Sequence, residues 1–141
     1  MAMKSSIFPL LILAAAIGLA ACGNSENRGA RAAASASFSL DMSAPSVAKG
    51  CSTYRTNCAP CHGLNGKGDG PAAAAMNPKP RNHCNGDYMD KLSNEHIFNV
   101  IKMGGATYGY PTMPAQPQLS DEEVRCLVAY IRSLSPTFKA S

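Results

Sequence analysis

Charge is scarce in this 141-residue chain: only 16% of residues are charged, and 13 Lys and Arg against 9 Asp and Glu leave a formal net charge of +4. Aromatics are scarce too, at 6%. No basic stripe interleaved with aromatics occurs, so a nucleic-acid partner is not expected. Charge runs and internal repeats do not dominate the chain. There is no second C-x-x-C, which a four-cysteine zinc site would need. The glycine-rich stretch Gly63–Pro71 lacks the G-x-x-x-x-G-K-[ST] spacing of a phosphate-cradling loop, because Gly68 follows Lys67. No convincing acid–base pair or activated nucleophile is present; the acidic residues gather at helix ends, and no enzymatic activity is expected. The apolar run Ile7–Leu19, broken by Pro9, is too short to span a bilayer.

What the chain does have is Cys58-Ala59-Pro60-Cys61-His62. A C-x-x-C pair alone is ambiguous between a redox pair, half a zinc site and a cofactor attachment point. A redox pair would follow a strand in a βαβ unit, and no such pattern precedes Cys58. Zinc would require Cys51 or Cys84 to be recruited. With histidine following at once, the motif reads as covalent haem attachment. Two thiols about one helical turn apart can reach the two vinyl groups on one side of a porphyrin. His62 then falls over the metal as an axial ligand. One covalently bound haem c is the expected cofactor, and its two propionates would bring the small positive charge close to neutral.

The N-terminal segment reads as an address. Lys4 gives a positive n-region and Ile7–Leu19 the h-region of a signal peptide over residues 1–21. Leu19-Ala20-Ala21-Cys22 resembles the lipobox of bacterial lipoproteins, which implies acylation at Cys22. An ordinary signal peptide cut nearby is the plainer alternative. Residues 22–45, rich in Ala, Ser, Gly and Asn, read as a flexible, lipid-anchored tether. The expected location is the periplasmic side of a bacterial membrane, reached by export and held by two or more acyl chains.

A folded domain is expected over residues 46–136, with 137–141 as a frayed tail. Ser46 is the expected N-cap of a first helix in which Val47, Cys51 and Tyr54 share a face. Gly50 inside it costs about 1 kcal/mol against Ala, and close approach of another helix is the natural reason. Ser93 caps a second helix with Ile97, Phe98, Val100 and Ile101 buried, stopped by Gly104-Gly105. Ser120-Asp121-Glu122-Glu123 is a capping box. It opens a last helix whose apolar stripe is Val124, Leu127, Val128, Ile131 and Leu134, ended by Pro136.

Gly50, Tyr54, Cys58–Gly63 and Leu127-Val128-Ala129-Tyr130 together resemble class I c-type cytochromes, most closely the small monohaem bacterial carriers. The resemblance covers about residues 46–136. It implies an all-α fold, the cytochrome c fold, with three to five short helices wrapped around one covalent haem and the first and last helices crossing. It implies that the Pro71 carbonyl accepts a hydrogen bond from the free ring nitrogen of His62. It also implies a distal methionine in a loop just before the last helix. Met113, in Tyr110-Pro111-Thr112-Met113-Pro114, sits in a stretch stiffened by prolines and is the sixth ligand so expected. Met103 reads as core, Met76 and Met89 are weaker candidates, and a bis-histidine site through His83 or His96 is the other option. Pro78–His83 is extended; Arg81 there either binds a propionate through its planar fork or is a solvated loop residue. If the terminal helices cross as in the family, Cys51 and Cys126 come near the crossing and form the favoured disulfide. Cys84–Cys126, or three free thiols, are the alternatives.

With iron held by His62 and Met113 no coordination position is open. The expected function is therefore one-electron transfer between redox partner proteins, by a monomer docking weakly at the haem edge. A haem-based ligand sensor, or a fixed subunit of a larger respiratory or dehydrogenase complex, is the alternative.

Overall fold

The opening and closing helices hold the rest of the chain in place. The computed structural model describes residues 38–139; the expected signal peptide, Cys22 and most of the tether lie outside them. Among the described residues there are five α-helices and no strand: α1 Ala44–Asn57, α2 Ala59–His62, α3 Gly86–Met89, α4 Asn94–Met103 and α5 Asp121–Ser133. Short 3₁₀ turns at Pro71–Ala75 and Ala106–Tyr108 complete the order. None of these helices is long and apolar enough to cross a membrane.

α1 begins earlier than expected. Ser43, not Ser46, is its N-cap, and Pro45 lies inside the first turn, where a fixed φ and a missing N–H cost nothing. The Asp41 carboxylate holds that entry by accepting from the Ser43 N–H and hydroxyl, both at 2.9 Å. Residues 38–43, expected in the tether, pack on the domain instead. Leu40 rests on the core. Phe38 meets Phe98 edge-on, with centroids 5.6 Å apart, and the Arg125 guanidinium lies over its ring at 4.7 Å.

α1 and α5 cross at Gly50. A methyl group built there would overlap the Cys126 carbonyl oxygen and stand 2.6 Å from its carbon, so only glycine lets the helices come this close. One turn on, the Tyr54 and Tyr130 rings pack with centroids 5.0 Å apart. Tyr54, Val124, Leu127 and Val128 are fully buried, and Ile97, Ile101 and Ile131 extend the core toward α4. The period-3.6 stripe of α5 is therefore the wall on which the other elements pack.

The favoured Cys51–Cys126 disulfide is not formed: Cys51, Cys58, Cys61, Cys84 and Cys126 are all free thiols. Cys126 Sγ lies 3.3 Å from Ser46 Oγ and the Cys84 thiol donates to the Asn65 carbonyl at 3.0 Å, so each side chain has its own neighbour. The C-terminal tail is not frayed over its described part. Ser135 and Thr137 donate to the two Asp90 carboxylate oxygens at 2.9 and 2.6 Å, and Phe138 lies under the Arg132 guanidinium. Arg132 is itself buried, donating to Asn94 Oδ1 at 2.7 Å and the Met89 carbonyl at 2.6 Å. It thereby satisfies carbonyls left over at the end of α3.

The capping box forms as expected. Glu123 N–H donates to Ser120 Oγ at 3.3 Å and Ser120 N–H to Glu123 Oε2 at 2.8 Å. The Ser120 hydroxyl, then its N–H, holds the Glu123 carboxyl below its ordinary pKa. A depressed carboxylate pKa adds stability that is present above the unfolded value, about 4.3, and is lost as pH falls through the folded value. Ser120→Ala is expected to cost about 1 kcal/mol at neutral pH and to flatten the acid side of the stability curve. Thermal melts at pH 7 and in steps below pH 5 test this; parallel acid losses in both proteins would detach the cap from the pH dependence.

Candidate functional site

The C-x-x-C-H stretch folds as one tight helical turn, with His62 N–H donating to the Cys58 carbonyl at 2.8 Å. Gly63, at φ +78°, turns the chain away. The glycine loop then closes back on the same turn: Gly68 N–H donates to the His62 carbonyl at 2.8 Å and Gly70 N–H to the Cys61 carbonyl at 3.1 Å. The backbone around the motif is thus held from both sides before any ligand is considered.

Cys58, Cys61, His62, Arg81 and Met113 line one cleft, whose apolar wall includes Met89, Ile97, Val100, Ile101 and Ile131. A mostly apolar lining with a few polar groups suits a large apolar ligand. Burial pushes the Cys58 thiol up to about 12, with Cys61 adding to the effect. That environment opposes the resting thiolate of a redox-active pair. Among the described residues no three His, Cys, Asp or Glu side chains converge as an ion cage.

His62 is set for coordination through one nitrogen. Its Nδ1 lies 2.9 Å from the Arg81 carbonyl. A carbonyl can only accept, so Nδ1 carries the proton and the lone pair is on Nε2. Burial, only partly offset by that hydrogen bond, lowers the imidazole pKa and favours the neutral ring. The acceptor is Arg81, not Pro71 as expected. Residues 63–70 are used in closing on α2, and Pro71 opens a 3₁₀ turn; the chain that passes beside His62 is the proline-stiffened 78–83 segment.

The Arg81 side chain is no solvated loop arginine. Its guanidinium stacks over the Tyr88 ring at 3.8 Å and donates to the Tyr110 hydroxyl. The Tyr88 and Tyr110 hydroxyls are 2.9 Å apart. Arg81 Nε is buried without a partner. An orphaned buried donor costs about 1–3 kcal/mol, and an anionic acceptor brought into the cleft would satisfy it.

Met113 is placed by a self-closing loop. Gly105 N–H donates to the Met113 carbonyl at 3.0 Å, Tyr110 N–H to the Gly105 carbonyl at 2.8 Å, and Gln116 N–H to the Ile101 carbonyl at 3.0 Å. Gly104-Gly105 therefore does more than stop α4. A Cβ on Gly104 would stand 2.9 Å from Ala115 N, and one on Gly105 would press on Tyr110. Met103 is neither core nor cleft, being 61% exposed. Met76 and Met89 do line the cleft, as does His96, whose ring packs edge-on to Tyr108. His83, the other histidine considered as a ligand, is buried and stacked on His62, with centroids 4.3 Å and planes 18° apart.

A family model described as Cytochrome c matches residues 47–135. The chain belongs to the cytochrome c family. The helix-only architecture is the one that membership implies, and the general role is that of a c-type cytochrome in electron transfer. A covalently bound haem c comes with the family. The residues present fit it: two thiols on one turn, an imidazole with Nε2 free, a thioether lining the same cleft, and an orphaned arginine donor. No curated protein matches this cytochrome. Among solved structures it is similar to a chain of the reducing HAO-like protein complex Kustc0457/Kustc0458 of Kuenenia stuttgartiensis, with 28% identity and a TM-score of 0.56. The match covers 68% of this chain and 46% of that one, so the cytochrome spans under half of its solved relative.

The Tyr88–Tyr110–Arg81 cluster and the burial of His83 were not read from the sequence. The first joins residues from separate loops and has no short-range signal. The second had one: His83 lies two residues after Pro78-Lys79-Pro80-Arg81, the segment whose Arg81 carbonyl meets His62.

Proposed function

We propose that this cytochrome is a monohaem one-electron carrier that works inside a larger redox assembly. Cys58 and Cys61 form the thioether bonds. His62 Nε2 and the Met113 sulfur would hold the iron, and Arg81 Nε–H would receive a propionate. The bound haem supplies a one-electron couple; Met/His ligation and an apolar setting raise its potential. The chain's own residues keep the imidazole in one tautomer, exclude water with the α4 and α5 side chains, and offer the iron two ligands. With both bound, electron transfer would need no change of ligand.

The observation that carries this reading is the His62 tautomer: Nδ1 is committed to Arg81, while Cys58, Cys61 and Met113 share its cleft. Likeness to one chain of a multi-protein complex supports an assembly partner over a free, solitary shuttle. Export, and lipid anchoring at Cys22 on the periplasmic side of a membrane, complete the proposal.

Three measurements test it on the full, exported chain. Denatured protein should keep one haem by mass, and the reduced protein at neutral pH should bind carbon monoxide slowly or not at all. A colourless chain ends the haem reading, and rapid carbon monoxide binding favours a ligand sensor. Gentle detergent extraction should bring the cytochrome out with other redox proteins; a lone species on a native gel would restore the free carrier.

A further inference from the structure

His83 lines the cleft but has no task in the function proposed above. Its ring lies flat on that of His62, centroids 4.3 Å and planes 18° apart. A ring lying flat on the face of His62 stands beside that imidazole, so His83 does not face it across the cleft. It is held on three sides. Its backbone N–H donates to the Gly66 carbonyl at 2.7 Å. Its Nδ1 is 3.3 Å from the Tyr54 hydroxyl. Its other neighbour is His62 itself.

Tyr54 is immobile in turn. It is fully buried and packs on Tyr130 where α1 and α5 cross. Burial pushes its phenol pKa up, so the hydroxyl stays protonated. A buried polar ring needs a partner, and Tyr54 provides one.

One restraint on His62 is otherwise weak. The torsion that rolls an imidazole about its Cβ–Cγ bond has broad minima. The hydrogen bond to Arg81 fixes where Nδ1 points, but it holds the roll of the ring only loosely. A flat neighbour against the face removes that freedom. We propose that His83 is a positioning residue for the axial imidazole, clamping the plane of His62 and tying it, through Tyr54, to the α1–α5 crossing. The inference rests on His62 being the iron ligand, as proposed above. Partners that orient a ligating histidine tune the metal as well as hold it.

The test uses the full, haem-loaded chain and three variants. His83→Phe keeps a flat ring and drops the hydrogen bond. His83→Leu keeps bulk and loses the flat face. Tyr54→Phe removes only the hydroxyl. The readouts are the low-temperature electron paramagnetic resonance of the oxidised protein, the spread of its haem-methyl proton shifts, and the midpoint potential. His83→Leu should shift and broaden the largest g value, alter the methyl-shift pattern and move the potential. His83→Phe and Tyr54→Phe should give smaller shifts in the same direction. Wild-type g values, methyl pattern and potential in His83→Leu, with only a lower Tm, would make His83 ordinary core and overturn the clamp. A wild-type protein without low-spin iron overturns the ligand assignment first, and the clamp with it. If His83→Leu does not fold, unchanged spectra in both His83→Phe and Tyr54→Phe overturn the tie to the crossing.

Discussion

Gly50→Ala should destabilise the haem-loaded protein by about 2–3 kcal/mol and lower its Tm by about 10 °C or more. Helix propensity alone gives the opposite sign, since alanine is better than glycine in a helix interior by about 1 kcal/mol. Packing decides the outcome. The added methyl overlaps the Cys126 carbonyl oxygen, lies 2.6 Å from the carbonyl carbon and 2.9 Å from Tyr130 Cβ. Two of those atoms are backbone of α5 and cannot turn aside as a flexible side chain could. The helices must part, and the contact of Tyr54 with Tyr130 loosens with them. Differential scanning calorimetry on the two proteins decides between the effects. A variant as stable as the wild type would mean that the crossing is looser than its close approach implies.

That glycine was legible in the sequence because its cost in a helix has few explanations. The capping box at Ser120–Glu123 and the stripe Val124–Ile131 were legible for a similar reason: both are local patterns with one geometric meaning. Cys58–His62 is local in the same sense, five adjacent residues that fold as one tight turn. Boundaries were less legible. Ser46 looked like a cap, but Pro45 fits within a first turn, so the helix begins at Ala44 with Ser43 before it. Long-range choices were least legible. Which carbonyl receives Nδ1 of His62 depends on how many residues the glycine loop uses in closing, and that loop brought Arg81 rather than Pro71 alongside. Burial of Arg132 likewise follows from the carbonyls at the end of α3 and not from its own place in α5. The thiols Cys51 and Cys126 remain separate because closeness to a crossing does not aim two side chains at each other.

Met113→Ala should convert the proposed carrier into a protein that binds carbon monoxide rapidly in the reduced state. It should abolish the methionine–iron charge-transfer band of the oxidised state and lower the midpoint potential. Axial ligands spread haem potentials over about 0.8 V, so exchange of a thioether for water or an empty position is a large change on that scale. The loop makes this a clean substitution. The bonds that shape it, Gly105 N–H to the Met113 carbonyl and Met113 N–H to the Tyr110 carbonyl, are backbone bonds that alanine keeps. Met103→Ala is the silent control, because that side chain is 61% exposed. Met76→Ala and Met89→Ala are the informative ones, since both side chains line the same cleft. If the band persists in Met113→Ala and vanishes in Met76→Ala, the sulfur ligand comes from the segment after the 3₁₀ turn, and the proline-stiffened loop before α5 serves only to close the cleft. If it vanishes in Met113→Ala alone while the fold survives, the last open position at the metal is the one this loop fills. The restriction to electron transfer then follows from a side chain held in place by two glycines and the backbone bonds they permit.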